Sequence, residues 1–190
     1  MKLKQPAGFA NLLHGNDFPH TNFRIIFLLI LTFLCAENVG ASSMAPRALS
    51  IAELTARSDV VALGMVSSVA SDWNLNRTAI ETRIDLNVEE ILKGSVDDGK
   101  ISFHQLGGIA GEIASSVGEA ASFEEGERVA VFLLKNNRDR LQLVGSFQGK
   151  FSVQRRPEGE MAVRRIPGVS KPLDQFPLDN FKLQVQEAIT

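Results

Sequence analysis

The sequence predicts a mainly β fold: one small antiparallel barrel, or alternatively a β-sandwich, with a short helix before it and an amphipathic helix after it. Three observations carry this. Ile80, Thr82, Ile84, Leu86 and Val88 alternate with polar residues over a long stretch, the period-2 signature of a strand with one buried face. Several shorter apolar runs follow, separated by turn residues such as Ser95 to Gly99 and Asn136 to Asp139. Helical periodicity is confined to two short segments. A strand as long as Thr78 to Gly94 has to curl in a small domain, and curled strands are how small barrels close.

Each element has a local reason. Ser50-Ile51-Ala52-Glu53 is a capping box, so a helix is expected from Ile51 to about Arg57, lying across an open end of the sheet. Val60 to Val69 is apolar on both parities at its start, which marks a strand covered on both faces, with Gly64 at a bend. Ser71 to Arg77 reads as a turn, with Trp73 expected to plug the core. In the long strand the parity slips at Glu89-Glu90, as at a bulge. Ile84 and Leu86 are then inward, Arg83 and Asp85 outward. Lys100 to Gln105, Glu127 to Leu134, Leu141 to Gly145, Gln148 to Val153 and Met161 to Arg164 are further strands, the last two paired across Arg156-Pro157-Glu158-Gly159. Leu178, Phe181, Val185 and Ala188 lie at helical spacing behind Pro177. Between Leu106 and Gly126, five glycines and few large side chains predict a long loop, anchored by Phe123 and free from Gly108 to Gly118.

The first 41 residues read as a secretory signal with a long polar lead. Ile25 to Ala36 is an apolar run behind Arg24, too short to span a bilayer as a helix, and Val39 and Ala41 suit cleavage after Ala41. An uncleaved anchor is the alternative. Lipidation at Cys35 is disfavoured by Leu34 before it. Residues 42–190 are then a single exported domain, periplasmic or extracellular, without the chain's one cysteine and so without disulfides. Of 20 basic and 22 acidic side chains, Lys2, Lys4, Arg24, Asp17 and Glu37 precede the cut, leaving a net charge of −3. That mild acidity, with no tyrosine anywhere in the chain, argues against single-strand nucleic-acid binding.

Composition excludes several chemistries. With His104 the one histidine after the cut, the domain lacks a zinc ligand set, and no cofactor is expected. Gly107-Gly108-Ile109-Ala110-Gly111 lacks the Gly-Lys-Ser/Thr ending of a phosphate loop. Glu119, Glu124, Glu125 and Glu127 lack the ligand order of a calcium loop and read as a solvated acidic stretch. The candidate binding residues are Gly107, Gly108 and Gly111 of the loop, with Lys150, Arg155, Arg156, Arg164 and Arg165 of the late hairpin. Together they suit a protein or an anionic envelope polymer. The alternative is a serine hydrolase using Ser115 or Ser116 with His104.

The order of Ser58-Asp59-Val60-Val61, Ile91-Leu92-Lys93-Gly94, Phe123-Glu124-Glu125-Gly126-Glu127 and Gln148-Gly149-Lys150-Phe151 resembles a group of uncharacterised exported bacterial proteins with one small β-barrel. The resemblance implies an OB-like barrel, distantly similar to netrin-like modules that include metalloprotease inhibitors. Those inhibitors place an N-terminal cysteine on the protease zinc. The exported part of this chain has no cysteine to do so.

Overall fold

The computed structural model describes residues 47–118 and 120–190. The signal-peptide reading, and Glu119, lie outside the described residues. Pro46–Thr190 forms one compact unit. Its elements in chain order are α1 (Ile51–Arg57), β1 (Val60–Trp73), β2 (Ile80–Lys93), β3 (Lys100–Leu106), β4 (Gly108–Ala110), β5 (Ile113–Ser115), β6 (Arg128–Lys135), β7 (Leu141–Leu143), β8 (Lys150–Arg156), β9 (Gly159–Arg165), β10 (Pro172–Pro177) and α2 (Leu178–Glu187).

Five strands close a barrel in the order β1-β2-β3-β7-β6 and back to β1. Numbered consecutively, that is 1-2-3-5-4-1, the Greek-key closure of an OB-type barrel. All its pairings are antiparallel except β3 with β7, which is parallel and rests on one residue pair, Phe103 with Leu141. β8, β9 and β10 extend the sheet beyond β6 as an antiparallel wing.

The long strands curl through bulges. Between β1 and β2 the register shifts so that Glu89 and Leu92 on β2, and Ser67 on β1, have no opposite residue. The Glu89 bulge is where the sequence loses its alternation, and beyond it Leu92 turns to the outside of the barrel. Gly64 sits in the same bent region, where an added β-carbon would overlap the Asn87 carbonyl.

Two hydrophobic clusters result. Inside the barrel lie Val60, Ala62, Val66, Ile84, Leu86, Phe103, Val129, Val131 and Leu133, with Phe123 edge-on to Phe103 at 5.3 Å. Outside it, alternate residues of the same strands, Val61, Leu63, Ala130 and Phe132, meet Ile51, Leu54, Phe151, Leu178, Phe181 and Val185. Phe132, Phe151 and Phe181 stand 5.0 to 5.9 Å apart, in tilted to edge-on geometry. The double-faced apolar start of β1 is thus explained: barrel on one side, helices on the other. Ile84 and Leu86 are buried while Arg83 is exposed and Asp85 half-exposed, as the alternation requires.

Four expectations are corrected. The capping box forms as read, Ser50 Oγ accepting from the Glu53 amide at 3.2 Å and the Glu53 carboxylate accepting from the Ser50 amide at 2.9 Å. Yet α1 does not cap an open end: Ile51 and Leu54 join α2 in the outer cluster, so the two helices form a layer. Trp73 continues β1 opposite Ile80, half-buried and in neither cluster. Leu106 to Gly126 contains a two-stranded hairpin, β4 and β5, rather than an unstructured loop. β10 was not expected at all, because prolines at both ends disguise it. No helix among the described residues is long and apolar enough to cross a membrane.

Candidate functional site

The basic residues of the late hairpin do not form a patch. Strand alternation sends them to different faces, and burial claims two of them. Arg164 is 1% exposed. Its guanidinium grips Asp174 through Nε and Nη2, donates to the carbonyls of Leu49 and Gln148, and stacks 5.0 Å from the Phe151 ring. It ties the segment before α1 and strand β10 to β9. Lys150 lies under the linker into β6, donating to the Ser122 carbonyl and to Glu127 at 2.8 Å, with Phe123 beneath it at 4.5 Å. Burial lowers its pKa, against the opposing pull of Glu127. Glu127 also accepts from Ser152 at 2.6 Å, which accounts for one of the glutamates read as a solvated stretch. Arg156 bonds Gln154 and Gln175, and Arg165 donates to the Ser170 carbonyl. Arg155 is exposed beside Glu160 at 3.7 Å. Lys150 and Arg164 are structural, and Arg155 and Arg165 are the exposed members.

The glycine-rich segment divides as well. Gly107 and Gly108 have φ of 96° and 130°, open to glycine and strained for other residues. A β-carbon on Gly108 would overlap the hydroxyls of Ser71 and Thr82, which bond each other at 2.8 Å while Thr82 donates to the Gly107 carbonyl. These two glycines root the hairpin on the ends of β1 and β2. Gly111 stands at the hairpin turn with open space around it. Leu106, Ile109, Ile113 and Val117, which flank or form the hairpin, are exposed apolar residues.

His104 and the two candidate serines are not brought together. Ser115 pairs with Gly108 in the hairpin, Ser116 follows it, and no hydrogen bond joins either to His104 among the described residues. Nor do the described residues contain a group of three His, Cys, Asp or Glu side chains able to hold a metal ion.

What His104 does line is a cleft of about 560 Å³ at the seam of the barrel. Past the Phe103 and Leu141 pair, β3 and β7 part. His104, Gln105 and Leu106 of β3, Asn136, Asn137, Arg138 and Arg140 of the turn, strand β7, and Val117 and Ala120 are among its lining. Consecutive β3 residues of both parities line it. The turn is rigid by construction: Asn136 Oδ1 accepts from the amides of Arg138 and Arg140, and Arg140 is clamped to Glu81 at 2.6 Å. Arg138 makes no ion pair among the described residues.

The cleft also holds an anomaly. Among the described residues, the buried side-chain polar atoms without a protein partner are His104 Nδ1 and Gln105 Oε1, and both residues line this cleft. The orientation of the glutamine amide follows from its nitrogen, which donates to the Ala121 carbonyl at 2.8 Å and leaves the oxygen as the unmet acceptor. Burial first, and then the nearby Arg140 charge, hold the His104 pKa below its usual value, so near neutral pH the ring is uncharged. Native proteins pair nearly all such atoms, so two on successive residues set this end of β3 apart from the rest of the described residues. The sequence signal was faint: one histidine next to one glutamine at the end of a strand. No protein-family model matches the chain, and no curated protein is similar to it in sequence.

Proposed function

We propose that the protein is an exported, non-catalytic binding module whose ligand site is the cleft at the seam between β3 and β7, flanked by the exposed β4 and β5 hairpin. The observation that carries this reading is one concave space lined by two successive residues, His104 and Gln105, each of which holds a buried side-chain polar atom without a protein partner. The exposed Leu106 and Val117 beside them give the cleft an apolar lining. The glycine-rich segment keeps its place in this reading as a rooted hairpin. The basic hairpin does not, since Lys150 and Arg164 are spent on internal contacts. Export rests on the apolar run and small-residue site before Ser42, and the likeness to exported OB-like domains agrees with it.

The test is a pull-down from envelope extract with the wild-type protein and with a Leu106→Asp, Val117→Asp double variant as parallel baits. The wild type retains a component that the variant loses. Equal recovery on both baits would overturn the cleft as the site.

A further inference from the structure

The charges and the aliphatic side chains that line the seam cleft narrow what it can hold. Resting on the reading of the cleft as a binding site, we infer that its ligand is a small amphiphilic anion, an aliphatic body that carries one terminal oxyanion group. Charge sets the sign. Arg138 and Arg140 line the cleft against one carboxylate among the described residues, Glu81, and near neutral pH His104 adds no charge. One positive charge is therefore left over, in a chain whose formal net charge is −2.

The cation left over is Arg138. Of its neighbours along the turn, Lys135 is paired with Asp139 at 3.0 Å, and Arg140 gives Nη2 to Glu81 at 2.6 Å. The Arg138 guanidinium has no partner among the described residues. The backbone that carries it is nevertheless fixed, because Asn136 Oδ1 accepts from the amides of Arg138 and Arg140. A planar fork of donors suits an anionic oxygen group held through two bonds, and the tied turn has little ordering left to undergo when the group arrives.

The aliphatic lining sets the body of the ligand. Leu106, Val117, Ala120, Leu141 and Leu143 supply it, and Leu106 and Val117 are 54% and 43% exposed. A bare inorganic anion would leave those side chains in water, whereas an alkyl chain covers them. Among the described residues the lining has no Phe, Tyr or Trp on which a nucleobase could stack. A cleft of about 560 Å³ is the size of a small-molecule site.

The test titrates the purified full-length protein with straight-chain carboxylates from acetate to octanoate, and with octyl phosphate and octyl sulfate, all below their micelle concentrations. Octanol and neutral and anionic oligosaccharides run alongside. Amide chemical shifts at His104, Leu106, Arg138 and Leu143 locate the contact, and calorimetry gives the affinity. The alkyl anions shift these amides, and affinity rises roughly fourfold with each methylene added. Comparing octanoate with the octyl phosphate and sulfate identifies the head group. Octanol binds at least roughly tenfold more weakly, and Arg138→Glu weakens octanoate by a similar factor without moving the thermal midpoint. Arg155→Glu, the same charge change at an exposed site outside the cleft, leaves the affinity as it was. Octanol binding as well as octanoate, or an equal loss in both variants, overturns the anionic head. Acetate binding as well as octanoate overturns the aliphatic body. Octanol or an oligosaccharide that shifts the cleft amides when no alkyl anion does so overturns the class and leaves the cleft standing as a site. Silence from every probe also overturns the class, and the cleft itself then falls only if the pull-down recovers the same components on both baits.

Discussion

β6 and β3 belong to one barrel and are used in opposite ways. β6 is paired on both edges, with β1 on one side and with β7 and β8 sharing the other. It is also covered on both faces, Val129, Val131 and Leu133 inside the barrel and Ala130 and Phe132 under the helices. β3 buries Ile101 and Phe103 inward, but its outer face meets solvent and its second edge is closed at one residue. The backbone of β6 is engaged by its neighbours on both sides. β3 is paired on its second edge at Phe103 alone, and His104 and Gln105 at its end each hold a buried polar atom without a protein partner.

The largest test of that contrast is Phe132→Ala. Removing a fully buried ring that meets Phe151 and Phe181 should cost roughly 3 to 5 kcal/mol in chemical denaturation. A loss below about 1 kcal/mol would mean that the helices merely decorate the barrel. Next is Arg164→Met, which breaks the grip on Asp174 and on the segment before α1. Removing one partner of a buried pair costs roughly 3 to 5 kcal/mol, and the partial exposure of Asp174 should bring this toward about 2 to 3. If the wing is dispensable, denaturation midpoints will coincide for the two proteins.

A pair of glycines sharpens the contrast on the β3 side. Gly108→Ala combines an unfavourable φ with overlap against Ser71 and Thr82, and should lower stability by about 1 to 3 kcal/mol. Gly111→Asn, at a turn with open space and a φ of 62° that asparagine tolerates, should change it by less than about 0.5 kcal/mol. Equal thermal midpoints for the two variants would show that the hairpin is not rooted as described.

The smallest expected effect is a pH dependence. The folded His104 pKa is held below its unfolded value, so between the two values the unfolded state binds the extra proton. The contribution of the neutral ring is complete above about pH 6.5 and is lost as pH falls through the lower, folded value. His104→Gln should flatten that part of the stability curve. An unchanged slope would place the ring in water instead of against the cleft wall.

Much of the fold could be read locally. Alternation marked β2 and its inward face, the slip at Glu89 marked a bulge, and Ser50 with Glu53 marked the start of α1. The site was far less legible. Lys150 and Arg164 look like surface cations in sequence, because the groups that draw them inward, Glu127 and the Leu49 carbonyl, are remote along the chain. Gln105 showed no sign of being an unmet acceptor, and β10 is written in residues that ordinarily end strands.

The sequence by itself determined the long strands, both helices and the apolar side of each, though not β4, β5 or β10, since caps, turns and two-residue alternation act between near neighbours. The tertiary structure decided which edges close and which stay open. Whether β3 is covered depends on where β7 arrives, and β7 is delivered by β6 from the far side of the barrel. Its short strand meets Phe103 at Leu141 and the turn before it holds Arg140 to Glu81. Those contacts join residues far apart in the chain, so no local pattern records the cleft that they leave between them.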